Sequence, residues 1–458
     1  MRKASHPRPT ALSNASSTPF KNTLVDGLPT SFESLHQAVV DAAEVHINSR
    51  HRAPCTPKTK VLFARMDFHG VGNDLNNAAR ALACALSQDR QVVFLPPGQA
   101  DQDKNSWLRA LRVTGEQPWH WLKGAGWPLD SALVLSSCHR ELMRPERKHV
   151  LLALAQANDT DAATTLSRIG EHTLAKVARS WHPIWRVGLT AAVVPTPYQS
   201  LGLLWWFQVL ASYLVRLRGP LHAAMADHPA MRAFMASRES AAPRGRIPTA
   251  AANFGRTHCG KRLCDDVGMG WHPPVWFDVG LHIRMGDVCG KNAPRRGQKT
   301  RRCSARPLED ALELMKSHGL RGDVFFASDS AETLAQAVHL GPVYGFNISF
   351  LAFEHFSKGR GETCSDRNSG GSVTGLEWCE RDVARDRRLL VEALLDAIML
   401  SRSTVLVGSM MSNFPRLALQ LRVQAPREGV LRYLTLDGRE WCTRSSCRMN
   451  YTERYGTS

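Results

Sequence analysis

Three short polar clusters carry the residue types that handle a phosphate-bearing ligand: His282-x-Arg284-x-Gly286-Asp287, Ser328-Asp329-Ser330 and Ser409-x-x-Ser412-Asn413. His282 and Arg284 are two apart, so on a strand they face the same side. Arg284 can make two parallel charge-assisted bonds to a phosphate, and it stays charged at any physiological pH. Ser409, Ser412 and the backbone N–H groups that open a following helix suit an anion, because a helix N-terminus presents unpaired donors and partial positive charge. Glu392 and Asp396 stand four apart, on one face of a helix otherwise rich in Leu, Ile and Met. A carboxylate there can accept hydrogen bonds from a ribose or a base edge; a solvent-facing stripe is the competing reading. His282 alone would read as a core histidine, but Arg284 and Asp287 beside it at a strand end favour a ligand. Gly70-x-Gly72-Asn73 is no dinucleotide fingerprint, because Asp74 and Leu75 follow where a third glycine is needed. It does follow a strand and open a helix, where backbone must come close to a ligand.

These clusters need elements to hold them, and hydrophobic periodicity supplies them. An apolar run at 61–64 predicts a short buried strand. Leu75, Ala78, Ala79, Leu82, Ala83 and Leu86 follow at helical spacing, and 91–96 reads as the next strand. Strand, Gly-rich turn, helix, strand is a βαβ unit, which implies a parallel sheet. The second half repeats the alternation: strands at 279–284, 324–327 and 404–408, and helices at 308–317, 331–339, 389–400 and 415–421. Ser330 is placed to cap the helix from 331. The fold class is therefore α/β, and the polar clusters sit where strands end, which in open α/β sheets is the ligand edge.

The chain has 458 residues, 43% of them apolar, and a formal net charge of +17. Such a balance attracts polyanions. Eight Lys and Arg residues from Arg284 to Arg306 face a single acid, Asp287. That is either a local cationic pocket or, for 291–302, a solvated loop. This loop has no aromatic residue for base stacking, so nucleic acid is not an expected partner. The eleven cysteines include four close pairs, Cys259/Cys264, Cys289/Cys303, Cys364/Cys379 and Cys442/Cys447. This spacing suits disulfide-stapled loops in an oxidising compartment. Sequons at Asn14, Asn158, Asn347 and Asn450 agree with a secretory route. No apolar segment of signal or anchor type stands in the first twenty residues. The uncharged run 198–215 contains Gln199, Ser200, Gln208 and Ser212 and reads as a buried core helix rather than a membrane span.

Together these segments resemble the fucosyltransferase superfamily, most closely its α1,6 branch. The resembling stretches run in family order: HGVGNDLNNAARALA (69–83), LLWWFQVLASYLVR (203–216), GLHIRMGD (280–287), VFFASDS (324–330), LLDAIMLSRSTVLVGSMMSNFPRLALQL (394–421) and YLTLDGREW (433–441). The resemblance implies a GT-B-like fold, two facing Rossmann-like domains with the donor in the cleft between them. Residues 1–55, polar with Pro, Ser and His throughout, read as a flexible N-terminal tail with one short helix near 32–47, and the resemblance implies an acceptor-side α/β domain (56–255) and a nucleotide-sugar-binding domain (256–458). It implies GDP-fucose as donor, a glycan or glycoprotein acceptor, inversion at the anomeric centre, and neither cofactor nor metal. Arg284 would bind the β-phosphate and His282 the diphosphate or ribose side. Asp396 would hold guanine, Ser409 and Ser412 the diphosphate end, and Asp329 would sit near the transferred sugar. Gly70, Gly72 and Asn73 would approach the donor from the other side. The family's second motif arginine is Met285 here, and the loop 288–307 lacks the acid expected as base, which leaves Asp287 or Glu309. A related transferase with another nucleotide sugar, and an inactive glycan- or nucleotide-binding protein of the same fold, are the alternatives. The resemblance and the cysteines together imply the secretory pathway, at the Golgi.

Overall fold

The computed structural model describes residues 32–65, 71–95, 133–142, 144–147, 149–150, 153–154, 162–172, 175, 182–184, 189–190, 193–217, 219–241, 275–285, 306–353, 383–423, 432–439, 441 and 447–448. Strand β1 (Val61–Arg65) lies between β2 (Gln91–Leu95) and β3 (His182–Ile184), all parallel. Alternation sends Leu62 and Ala64 into one apolar cluster and Val61 and Phe63 into another, so β1 is buried on both faces. The helix Val71–Ser87 crosses from β1 to β2, and its run of buried alanines lets neighbours come close on several sides. A small pair of parallel strands, β4 (Leu189–Thr190) and β10 (Cys447–Arg448), stands apart.

The short helix expected near 32–47 is present, while the flexible tail expected around it is corrected over 36–55. Phe32–His51 is one helix, and Val40, Ala43 and Ile47 are buried in the main core. It is pinned to the helix Gly202–Leu214 by a buried ion pair, Arg216 Nη2 to Glu44 Oε1 at 2.6 Å, and by Tyr213 Oη donating to Asn48 Oδ1 at 3.0 Å. Trp205 Nε1 donates to His36 Nε2 at 2.9 Å. Cys55, just beyond, is disulfide-bonded to Cys138. The four closely spaced cysteine pairs lie outside the described side chains. The helix Gly202–Leu214 buries Trp205, Trp206 and Phe207 completely, which bears out the core-helix reading of 198–215. No helix among the described residues is long and apolar enough to cross a membrane.

The second sheet is wholly parallel, ordered β7-β6-β5-β8-β9: β5 (Phe277–Ile283), β6 (Gly322–Ser328), β7 (Phe346–Ser349), β8 (Ser403–Gly408) and β9 (Tyr433–Thr435). From β5 the chain steps outward through the helices Pro307–Ser317 and Ala331–Tyr344 to β6 and β7. It then returns to the other side of β5 through the helix Val383–Ser401 to β8, and continues through Asn413–Gln420 to β9. The direction of winding therefore reverses between β5 and β8. Gly280 in β5 permits the close contact there: a Cβ would meet Ser403 Oγ at 2.7 Å and the Leu400 carbonyl at 2.8 Å. One apolar cluster joins Leu62 and Ala78 of the first half to Phe277, Leu395 and Leu417 of the second, so the two sheets share a core. The division expected at 255/256 lies outside the described residues.

Candidate functional site

In a doubly wound sheet the ligand crevice opens at the carboxyl ends of the two strands where winding reverses. Here those strands are β5 and β8, and His282 stands opposite Gly408 in register. His282 is 6% exposed, its ring tilted 33° over Phe414 with centroids 5.0 Å apart. Burial first, then the charge of Arg284, pushes its pKa down to about 3, so the imidazole is neutral at physiological pH. Its Nδ1 is buried without a hydrogen-bond partner. Buried polar atoms are nearly always satisfied, so such an atom at a strand end points to a ligand. Arg284 follows, half-buried, just past the strand. Gly286 and Asp287 lie outside the described residues.

The loop after β8 is held from below by Asp437. Ser409 Oγ donates to Asp437 Oδ2 at 2.6 Å, and Met411 N–H to the same oxygen at 2.9 Å. Met410 N–H and Thr435 Oγ1 donate to Oδ1. A serine has one hydroxyl proton, and that of Ser409 is committed to Asp437. Ser409 therefore shapes the loop through its hydroxyl. Ser412 differs. It is the N-cap of Asn413–Gln420 and its oxygen accepts from Phe414 N–H at 3.4 Å, which leaves its proton available.

The Gly-rich turn of the first half reaches the same place. A Cβ on Gly72 would lie 3.1 Å from the backbone carbon and oxygen of Asn413 and 3.2 Å from Phe414 N. Asn76 Nδ2 donates to the Asn413 carbonyl at 3.0 Å. Gly72 thus lets the starts of the helices Val71–Ser87 and Asn413–Gln420 touch. Gly70 lies outside the described residues, as does the side chain of Asn73. Asp329, exposed at the end of β6, accepts from Met285 N–H at 2.7 Å.

Of the two helix carboxylates, Glu392 is 2% exposed, which rules out a solvent stripe for it, and its Oε1 lies 3.6 Å from His228 Nε2. Asp396 is half-buried one turn on, and burial, then the charge of Glu392, raises its carboxyl well above the usual range. Among the described residues no cluster of three His, Cys, Asp or Glu side chains could hold a metal ion. The sequence reading missed two residues: Asp437, inside a segment quoted only for its resemblance, and Arg416, a buried arginine in the otherwise apolar stretch 414–419.

No protein-family model matches this chain, and no curated protein matches it. Solved structures are similar to it. The fucosyltransferase NodZ from Bradyrhizobium shares 13% identity over 83% of this chain and 97% of that one, at a TM-score of 0.34. A mutant of Arabidopsis thaliana FUT1 in complex with GDP shares 11% over 93% and 88%, at 0.36. POFUT1 in complex with GDP-fucose shares 12% over 83% and 99%, at 0.32.

Proposed function

We propose that this protein is an inverting, metal-independent glycosyltransferase that moves fucose from GDP-fucose to a glycan or glycoprotein acceptor. One observation carries the reading. The buried, unpartnered Nδ1 of His282 stands at the reversal point of a parallel sheet, beside Arg284 and a serine-capped helix N-terminus. That set suits a diphosphate. The ordered motif resemblance over 69–441 supports GDP and fucose as its two ends.

In this reading the acceptor hydroxyl attacks the anomeric carbon of fucose from the face opposite the diphosphate. The bond from that carbon to the β-phosphate oxygen breaks, both electrons leave with GDP, and Asp287 takes the acceptor's proton. Arg284 stabilises the charge that grows on the leaving oxygen. Ser412 donates its hydroxyl proton to the phosphates, His282 touches the diphosphate or ribose side, and Asp396 accepts from guanine. The chain works in the secretory pathway, at the Golgi, where a disulfide such as Cys55–Cys138 persists.

Met285 favours a second reading, a nucleotide-binding protein without turnover, because its half-buried side chain packs against the core of the second sheet rather than adding charge to the site. A thermal-shift and donor-hydrolysis screen without metal tests both, using GDP-fucose, GDP-mannose, UDP-sugars and GDP. A shift and slow hydrolysis specific to GDP-fucose are expected. GDP binding without turnover on any glycan acceptor would favour the second reading, and no response to any nucleotide would overturn both.

A further inference from the structure

Two arginines are packed where the helices Val71–Ser87 and Asn413–Gln420 meet, and neither has a carboxylate in ion-pair contact among the described residues. Arg416 is 7% exposed, and its Nε is buried without a hydrogen-bond partner. Its polar contact is long, Nη1 to Asn413 Oδ1 at 3.5 Å. Helical side chains lean toward the N-terminus of their helix, and this contact shows the guanidinium reaching back to the first residue of its own. Arg80, one turn beyond Asn76 on the neighbouring helix, is half-buried. Burial, and then the nearby charge of Arg416, draws its pKa down to about 10. Asp437 is near enough to favour the charge on Arg416, but its oxygens already receive Ser409 Oγ, the amides of 410, 411 and 439, and Thr435 Oγ1. Neither arginine makes an ion pair among the described residues.

An unpaired buried cation costs several kcal/mol, and a second of like sign adds to that. Charged groups desolvated in this way are enriched at functional sites, where a bound anion can complete them. The place is suited to one. Two helices begin here in contact, so the positive ends of both dipoles converge. The unpartnered Nδ1 of His282 borders the same helix start through Phe414.

We propose that Arg416 is a second phosphate-binding residue of the donor site, acting with Arg284 on the diphosphate, and that Arg80 raises the positive potential behind it. The proposal rests on the donor reading above and deepens it. It also accounts for Met285: with that position turned into the core, the second charge comes from a different helix.

The test is a calorimetric titration of the full chain and its variants with GDP, GMP and inorganic pyrophosphate. A charge-assisted bond is worth enough that Arg416→Met should weaken GDP by about 10- to 100-fold. GMP should weaken far less, so the wild-type preference for GDP over GMP collapses. Arg416→Lys, which keeps the charge and loses the planar fork, should give an intermediate preference. Equal weakening of GDP and GMP would mark Arg416 as merely structural and overturn the proposal, as would unchanged affinity for both. If the methionine variant does not fold, the lysine variant decides: an unchanged GDP-to-GMP ratio overturns the proposal. If wild type binds neither nucleotide, the donor reading has failed. The pyrophosphate arm then judges the anion site by itself, supported by binding that Arg416→Met abolishes and overturned by its absence.

Discussion

The carboxylate of Asp329 accepts a 2.7 Å hydrogen bond from the backbone N–H of Met285, tying the end of β6 to the residue directly after Arg284. This fixes where Arg284 leaves its strand. Through this bond the carboxylate positions the backbone that carries Arg284. Asp329→Asn keeps an acceptor oxygen and should leave GDP affinity within about twofold, whereas Asp329→Ala should weaken it by about 3- to 10-fold, the worth of one hydrogen bond. Titration of both variants with GDP checks this. A turnover loss as deep in the asparagine variant as in the alanine variant would point instead to a carboxylate acting on the sugar.

Arg284 stands directly past β5 at the reversal point, and its charge already reaches His282. Arg284→Ala should leave the melting temperature within a few degrees, because the side chain is half-buried and lies beyond the strand. Turnover should fall by at least about 100-fold, the cost of removing a donor aimed at developing charge. Circular dichroism and donor-hydrolysis rates separate the two effects. Retention of most activity would end the phosphate role.

Much of this was legible in sequence because it depends on local pattern. Strands β5 and β8 are short apolar runs that break at polar residues, so His282, Arg284 and the Ser409–Ser412 loop could be placed at strand ends before any contact was known. Long-range choices were not legible. That Ser409 donates to Asp437, 28 residues on, could not be read from the loop itself. That the bare Cα of Gly72 also lets Asn413 approach was not visible either. The helix near 32–47 was legible, but it is polar enough that its burial was not. Its burial depends on partners such as Arg216 and Tyr213, 172 and 165 residues away. The Cys55–Cys138 disulfide spans 83 residues, while sequence spacing favoured close pairs.

Asp396 pairs function against stability. Its folded carboxyl titrates above its unfolded value, because burial and Glu392 disfavour the ionised form. The sign follows from linkage: below the unfolded pKa the group is protonated in both states and costs nothing. As pH rises toward the folded pKa, the unfolded state loses its proton first and stability drops. Asp396→Asn should therefore raise the melting temperature by a few degrees at pH 7 and by less at pH 4. If Asp396 holds guanine, the same variant should weaken GDP by about 10-fold or more. Thermal melts at the two pH values, with GDP titration at pH 7, check both halves. Higher stability with unchanged GDP affinity would remove Asp396 from the donor site.

Three buried histidines should set the acid limit of the fold. His51 is held down to about pKa 4, and His139 and His282 to about 3, in each case by burial above all. His139 must be neutral at Nδ1 to accept the Phe94 N–H, and His51 Nε2 bonds the Val134 carbonyl at 2.9 Å. All three stay neutral when folded and gain protons near pH 6.5 when unfolded. Their contribution is complete above about pH 6.5 and is lost as pH falls toward about 3. With three protons taken up on unfolding, the slope approaches about 4 kcal/mol per pH unit. Urea melts between pH 7.5 and 5 should show stability falling steeply below pH 6.5. His139→Gln, whose side-chain oxygen can still accept from Phe94, should cut that slope by about a third. A flat profile through pH 5 would mean that these rings are already charged in the fold. The neutral His282 of the donor site would then have to be abandoned as well.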